Sequence, residues 1–205
     1  MKKKKNYKPK QIYVLPGSPS DGVIFKVEKS VLGLDPGSRN FGISLVGLSK
    51  ENKPIVFANS VLMNPVNDLV NFGKGSEKFL NEIKSWISMH PPSGIVGERF
   101  QTRGNMGPLI EQVSVMLGLI RGRYSKIPLK LTVASAWKNK IRRRFGVDLK
   151  DLYPKIAVQP HQLDATLIAI FGLESGLNKD LDYDLEDIVG QCESTSLIDL
   201  KNKRK

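Results

Sequence analysis

The feature that constrains this chain most is a short apolar run that ends abruptly in a carboxylate and a turn. Val31–Leu34 is uninterrupted apolar sequence, and Asp35-Pro36-Gly37 follows it directly. A run bounded by turn residues in this way is typical of a strand buried on both faces, and Pro36 cannot donate to a strand ladder. We therefore predict a strand that ends at Asp35 and a hairpin that returns through Phe41–Val46. An Asp that only caps the turn is the simpler interpretation of Asp35 taken alone.

A second apolar run ends in a carboxylate in the same way. Gly94-Ile95-Val96-Gly97 precedes Glu98, and it follows an amphipathic helix predicted over Ser76–His90, with Ser76 as the expected N-cap. A strand that follows a helix can return parallel to the first strand through a right-handed crossover. Because parallel neighbours end at the same edge of a sheet, Asp35 and Glu98 are expected to lie there together.

The last strong helix is predicted over Pro160–Glu174, and it carries two titratable groups on its first turn. Its apolar residues lie nearly all round the helix, which indicates a buried helix. His161 and Asp164 are three residues apart and share one face. Polar core residues with satisfied hydrogen bonds are the alternative, but a pair at the exposed end of a buried helix favours a functional site.

The remaining apolar pattern completes an α/β chain. Ile55–Met63 is predicted as a third strand of an antiparallel meander, and Leu129–Ala134 as a fifth strand. Met106–Arg123 is predicted as a long helix with an apolar stripe at near-heptad spacing. Such a stripe fits either the core alone or a partner chain as well.

A basic helix is predicted after the fifth strand, with Ser135 as its cap and Trp137 on its inner side. Its lysines and arginines lie largely outward, which favours contact with nucleic acid over simple solvation. Residues 148–158 are predicted as a loop with one helical turn at most. The sequence after Gly176 is acidic and then basic without an evident hydrophobic period, and we expect it to be weakly structured.

The net charge of +12 is unevenly distributed. Residues 1–10 contain six lysines, residues 201–205 contain three lysines and one arginine, and neither stretch contains an acid. Residues 174–199 hold eight acids and one lysine, which leaves 21 basic against 12 acidic residues for 11–173. A basic body with basic tails is typical of a nucleic-acid-binding protein, although solubility alone is the alternative.

The length of 205 residues fits one main domain with tails. We expect a basic, largely irregular extension over 1–29, one α/β domain over 30–175, and an acidic then basic tail over 176–205. No apolar stretch approaches a membrane span of about 18 residues, and the lysine-rich start lacks an apolar signal segment. Cys192 is the single cysteine, so an internal disulfide and a cysteine-ligated zinc site are excluded. A cytoplasmic location is the expectation.

Grouped carboxylates repel one another and are tolerated where divalent cations lie between them. Asp35, Glu98 and Asp164, with His161 beside them, form such a group in the predicted fold. Mg²⁺ prefers a few carboxylates together with water and phosphate oxygens. Two ions about 4 Å apart can activate a water and stabilise the leaving oxygen of a phosphodiester. An acidic metal site on a basic protein therefore predicts phosphodiester chemistry on nucleic acid.

Three motifs resemble the RuvC-type Holliday-junction resolvases. VLGLDPGSRNFG is similar to the first motif of that family, GERF to the second and HQLDATLIAIF to the last, in the same order over about 31–171. The resemblance implies an RNase H-like fold with a five-stranded mixed sheet flanked by helices. It also implies that Asp35, Glu98, His161 and Asp164 bind two Mg²⁺ ions, which Mn²⁺ can replace, with Asp35 bridging them.

The same resemblance implies a homodimer that resolves four-way DNA junctions by symmetric nicks. Phe41 departs from the family, which usually has Thr at that place. Phe100 follows Glu98 by only two residues, closer than the aromatic that the family uses to unstack bases. The candidate DNA-binding residues are Arg39, Arg99, Phe100, Arg103, Asn105, Lys138, Lys140, Arg142, Arg143 and Arg144.

Three other functions are compatible with parts of this pattern. A sugar-kinase or actin-like ATPase also opens with a hairpin of this kind, but a second phosphate loop and an adenosine-binding loop are missing from the sequence. A non-catalytic nucleic-acid binder has no reason to keep a carboxylate cluster that is unfavourable to bury. A nuclease of the same fold with relaxed choice of branched or flap DNA, or one that processes RNA, is the third.

Overall fold

The computed structural model describes residues 12–13, 25–26, 29–65, 71–99 and 107–202. Within these ranges none of the helices has the length and hydropathy that a membrane-spanning segment requires. The strands and helices, in chain order, are β1 Ile12–Tyr13, β2 Phe25–Lys26, β3 Ser30–Pro36, β4 Asn40–Leu48, β5 Pro54–Met63, α1 Phe72–Met89, β6 Gly94–Arg99, α2 Gly107–Arg123, β7 Leu129–Val133, α3 Ala134–Phe145, α4 Leu149–Leu152, α5 Pro160–Leu177 and α6 Leu185–Asn202.

The main sheet has five strands in the order β5-β4-β3-β6-β7. β3, β4 and β5 form the predicted antiparallel meander, whereas β6 and β7 run parallel to β3. The mixed five-stranded sheet flanked by helices is therefore confirmed. Leu34 of β3 pairs with Gly97 of β6, so Asp35 and Glu98 follow at the same edge of the sheet, as predicted. We call this edge the carboxylate edge.

Successive residues of β3 serve two separate cores, because side chains alternate between the faces of a strand. Leu32 and Leu34 pack with α1 and α2 on one face, whereas Val31 packs with α3, α5 and α6 on the other. Gly33 shares the second face, where a Cβ atom would lie 2.0 Å from the carbonyl oxygen of Ala165. The missing side chain lets α5 pack directly on the backbone of β3, and Asp35 belongs to this same face.

Two predicted helix starts are wrong by a few residues. α1 begins at Phe72, and the Ser76 hydroxyl lies inside the helix, where it donates to the Phe72 carbonyl at 2.7 Å. α3 begins at Ala134 directly after β7, so Ser135 is its second residue and not its cap. Residues 148–158 contain α4, whose first turn is capped by the Asp148 carboxylate.

The expectation of weak structure after Gly176 is wrong for the helix α6. Leu185, Ile188 and Cys192 are buried against α5 and the sheet, and Val189 packs beside them. Their spacing of three and four residues is the period of a helix with one buried face. The acids between them conceal this period in the sequence but lie on the outer side, so the pattern and the charge are compatible.

The apolar stripe of α2 belongs to the core. Val113, Met116, Leu117 and Ile120 are all buried against the face of the sheet that α1 also covers. Val115, on the outer side of α2, is 44% exposed. Dimer formation stays a prediction, and the buried stripe is already accounted for by packing within one chain.

Candidate active site

Asp35 and His161 meet at the carboxylate edge. Asp35 is buried near the end of β3, and His161 is the second residue of α5, with its Nδ1 atom 2.6 Å from Asp35 Oδ2. The hydrogen bond to Asp35 raises the pKa of His161, and burial opposes this shift. The pair joins β3 to the first turn of α5, and its two residues are 126 apart in sequence.

A glycine on β4 allows this contact. A Cβ atom at Gly42 would lie 2.0 Å from the backbone carbonyl oxygen of His161, closer than any side chain can approach. Gly42 pairs with Asp35 across the hairpin. The N-terminus of α5 therefore lies directly over the hairpin backbone, and this brings His161 within reach of the carboxylate.

Glu98 lies near the end of β6 beside the indole of Trp137. Trp137 Nε1 donates to Glu98 Oε2 at 2.9 Å. Burial raises the pKa of Glu98, and the charge of Asp35 adds to the shift, while the Trp137 hydrogen bond and the charge of Lys138 lower it. The charge of Asp164 also contributes to the raised pKa. Glu98 thus shares one electrostatic environment with the other two carboxylates.

Asp164 is held by two donors from the chain between β7 and α5. Lys138 Nζ lies 3.0 Å from Asp164 Oδ2, and the hydroxyl of Tyr153 donates to Oδ1. Burial raises the pKa of Asp164, and repulsion from Asp35 adds to this, while Lys138 and Tyr153 lower it. The same contacts keep Tyr153 protonated, since burial and the charge of Asp164 both raise its pKa.

The Lys138 ammonium places a positive charge near these carboxylates. Burial opposes its charge, but attraction to Asp164, Glu98 and Asp35 outweighs burial and raises its pKa. Its Nζ atom also lies 4.8 Å from the centre of the Trp137 ring. The ammonium thus compensates part of the charge of these carboxylates, which is the electrostatic role that a divalent cation has in such clusters.

The donor chemistry of the cluster fits a hard divalent cation. Three carboxylates and one imidazole supply oxygen and nitrogen ligands, and two of the carboxylates have raised pKa values that a cation would lower. Among the residues that the structure describes, no three His, Cys, Asp or Glu side chains have the spacing of a preformed metal site. Lys138, Trp137, Tyr153 and His161 each bond one of the carboxylates. A cation would therefore compete with Lys138.

The structure brings together the four residues predicted to form the site, and it adds two that the sequence analysis missed. Trp137 was expected only in the core, and Tyr153 lies in a segment without an assignment. One signal in the sequence could have placed Trp137 and Lys138 near the carboxylates. Because β7 runs parallel to β6, residues directly after β7 must lie at the carboxylate edge. Tyr153 has no comparable signal in the sequence.

The predicted DNA-binding residues fall into distinct structural groups. Lys138 lies within the carboxylate cluster. Lys140 and Arg144 form ion pairs with the buried Glu174, at 2.8 and 3.1 Å. Exposed positions without an ion pair, as far as the described residues show, are Arg39, Arg99, Arg142 and Arg143. Phe100, Arg103 and Asn105 lie outside the described residues. DNA binding by all of these residues stays a prediction.

The chain is similar to two solved structures of one protein over most of their length. RuvC of Thermus thermophilus in complex with a Holliday junction substrate is 16% identical and matches with a TM-score of 0.55, over 75% of this chain and 99% of that chain. A second structure of Thermus thermophilus RuvC is 16% identical with a TM-score of 0.52, over 74% and 98%. The yeast mitochondrial Holliday junction resolvase Ydc2 is 15% identical with a TM-score of 0.45, over 84% of each chain.

No protein-family model and no curated protein matches the sequence. The order and direction of the strands define an α/β fold of the RNase H-like kind. Within that class the chain has the fold of RuvC. The resemblance indicated by the three sequence motifs is thereby confirmed at the level of the fold.

Proposed function

We propose that this protein is a metal-dependent endonuclease that resolves four-way DNA junctions. One observation carries the proposal: Lys138 Nζ contacts Asp164 Oδ2 at 3.0 Å at one edge of the sheet, where Asp35 and Glu98, from two other elements, also lie close enough to raise the pKa of Lys138. Buried carboxylates that raise one another's pKa destabilise a fold unless a cation compensates them. A cluster of this kind is expected where the function requires it, as in phosphodiester hydrolysis.

The residues that would hold two Mg²⁺ or Mn²⁺ ions are Asp35, Glu98, His161 and Asp164. Such ions activate a water and stabilise the leaving oxygen of a phosphodiester. Trp137 and Tyr153 fix the orientation of Glu98 and Asp164, which is the role that outer hydrogen bonds have around metal ligands. Lys138 pairs with Asp164 in the free protein, and we expect it to pair with a substrate phosphate when cations enter.

The charge distribution supports nucleic acid as the substrate. Residues 11–173 contain 21 basic against 12 acidic residues, and the exposed Arg142 and Arg143 lie on α3, whose first turns also carry Lys138. Phosphate contacts by such residues bind nucleic acid without regard to base sequence. Lys140 and Arg144 are expected to contribute less, because Glu174 already compensates their charges.

A four-way junction is the substrate that the fold suggests, since the RuvC structure with the same fold contains a Holliday junction. Resolving a junction requires nicks in two strands of like polarity, and a two-fold dimer supplies two sites with that symmetry. The outer side of α2 is our candidate interface, because Val115 is exposed there. Val115→Glu should therefore yield a monomer that still folds and nicks junctions without pairing the nicks.

The test is cleavage of end-labelled four-way, three-way, flap and linear DNA of matched sequence with Mg²⁺ or Mn²⁺. We expect cuts in the four-way junction at symmetric positions, and little cleavage of linear duplex. Asp35→Asn is the matched control: it should bind the junction with near-normal affinity and leave it uncut. Equal cleavage of flaps, linear DNA or RNA would contradict junction resolution and favour the relaxed nuclease. Near-normal cleavage by Asp35→Asn would remove the cluster from the reaction.

A further inference from the structure

A buried chain of hydrogen bonds connects α6 to the first turn of α5. Asn59, fully buried on β5, donates through Nδ2 to the backbone carbonyl of Cys192 at 3.2 Å. Its Oδ1 atom accepts from Nε2 of Gln162 at 3.4 Å. Gln162 Oε1 then accepts from the backbone N–H of Gln159 at 3.2 Å. The strand β5 and the helices α5 and α6, which are distant in sequence, are thereby joined at one point.

Gln162 is the residue at which this chain meets the active site. It lies between His161 and Asp164 in sequence, and its own N–H donates to the Gln159 carbonyl at 2.9 Å. Its carbonyl accepts from the Thr166 hydroxyl, 2.9 Å away. A capping box alone would satisfy only backbone N–H groups at the N-terminus of α5. Here Nε2 of the Gln162 side chain also donates to Asn59 on β5, so the orientation of the first turn of α5 depends on β5 as well.

We propose that Gln162 is a positioning residue for the nuclease reaction, and that its contact with Asn59 fixes the first turn of α5 against β5. The inference rests on the proposed function, because His161 and Asp164 are the groups that it positions. Neither His161 nor Asp164 contacts α6 directly in the contacts described. Fixing the first turn of α5 fixes where both side chains begin, and small displacements of metal ligands weaken metal binding and catalysis.

The test compares Gln162→Met with a matched control, Gln191→Met. Met keeps the length of Gln and removes both hydrogen-bonding ends. Gln191, on α6, also accepts from one group and donates to another, the Val56 N–H at 2.9 Å and the Pro54 carbonyl at 3.4 Å. Both of its partners are on β5, so its loss perturbs the packing of α6 without touching α5.

Two measurements on the full-length variants distinguish positioning from simple destabilisation. Hydrogen exchange of the metal-free protein over residues 159–166 should become faster in Gln162→Met and stay unchanged in Gln191→Met. Calorimetric titration with Mn²⁺ should show affinity weakened by about tenfold in Gln162→Met and within twofold of wild type in Gln191→Met. Melting temperatures should fall in both variants, which shows that the split does not follow stability.

Unchanged exchange and unchanged Mn²⁺ affinity in Gln162→Met would overturn the positioning role while leaving the proposed function intact. An equal loss of Mn²⁺ affinity in Gln191→Met would also overturn it, because general destabilisation would then suffice. A wild-type protein that neither binds Mn²⁺ nor cuts any branched DNA would refute the proposed function itself, and the positioning role with it.

Discussion

Replacing Lys138 by Met tests whether its ammonium takes the place of a metal ion. Asp164 is nearly buried and Lys138 is 40% exposed, with 3.0 Å between their charged atoms. Removing one partner of a fully buried pair is worth roughly 3–5 kcal/mol. Because water reaches Lys138 and Tyr153 still donates to Asp164, we expect a loss of about 1–2 kcal/mol in the metal-free protein.

The same substitution should strengthen metal binding. A cation no longer has to displace the ammonium, so the free energy lost by the metal-free state is regained on binding. A change of about 1–2 kcal/mol corresponds to roughly 5- to 30-fold tighter binding of Mn²⁺. In the metal-free protein the melting temperature should fall by about 2–8 °C. In excess Mn²⁺ the variant should recover most of this difference, since binding to the folded state stabilises it.

Thermal melts with and without Mn²⁺, and calorimetric titration, measure both effects. Lys150→Met is the control, because Lys150 is an exposed lysine of the same region that forms no ion pair with the described residues. It should leave stability and Mn²⁺ affinity unchanged. A Lys138→Met protein with wild-type stability and no gain in Mn²⁺ affinity would refute the idea that the ammonium and the cation compete for one place.

Three further predictions concern the surroundings of the site. Gly42→Ala should lower the free energy of unfolding by about 1–3 kcal/mol and abolish cleavage, since its Cβ would lie 2.0 Å from the His161 carbonyl oxygen. Denaturant unfolding measures the stability and the junction assay measures cleavage, and normal cleavage would contradict the prediction. Glu174→Gln should lower the free energy of unfolding by about 2–3 kcal/mol, because Lys140 and Arg144 lose a buried charged partner. Urea unfolding measures this change, and an unchanged midpoint would show that these ion pairs are not stabilising. Burial raises the pKa of the Cys192 thiol to about 11. Ellman's reagent should therefore react slowly with Cys192 at pH 8 until urea is added. Rapid labelling of the folded protein would mean that α6 leaves the core.

The convergence of Asp35 and Glu98 was predictable because it depends only on strand direction. Two buried strands joined through a helix return in parallel, and their ends then coincide. Strand direction also places the start of α3 at this edge, but the carboxylate that Lys138 reaches depends on how α3 rotates about its axis. The position of Tyr153 depends on how the following segment returns to α5. Those angles are set by packing of Trp137 and Ile141 in the core, and periodicity alone does not give them.

Two helices, α6 and α2, show what charge and periodicity leave undetermined in the sequence. Acidic residues concealed the apolar face of α6, although Leu185, Ile188 and Cys192 already follow a helical period. On α2, the near-heptad stripe fitted either the core alone or a partner chain as well, and the sheet of the same chain buries Val113 and Met116. A stripe shows that a helix face is covered, and only the tertiary structure shows what covers it.

The central claim is that the carboxylate cluster binds the metal ions of a nuclease. Anomalous diffraction from crystals grown with Mn²⁺ and a four-way junction tests it most directly, at the absorption edge of manganese. The account predicts two anomalous peaks bounded by Asp35, Glu98 and Asp164, with Lys138 turned away from Asp164. Crystals that contain the junction but show no anomalous peak among these carboxylates, with Lys138 still bonded to Asp164, would contradict it.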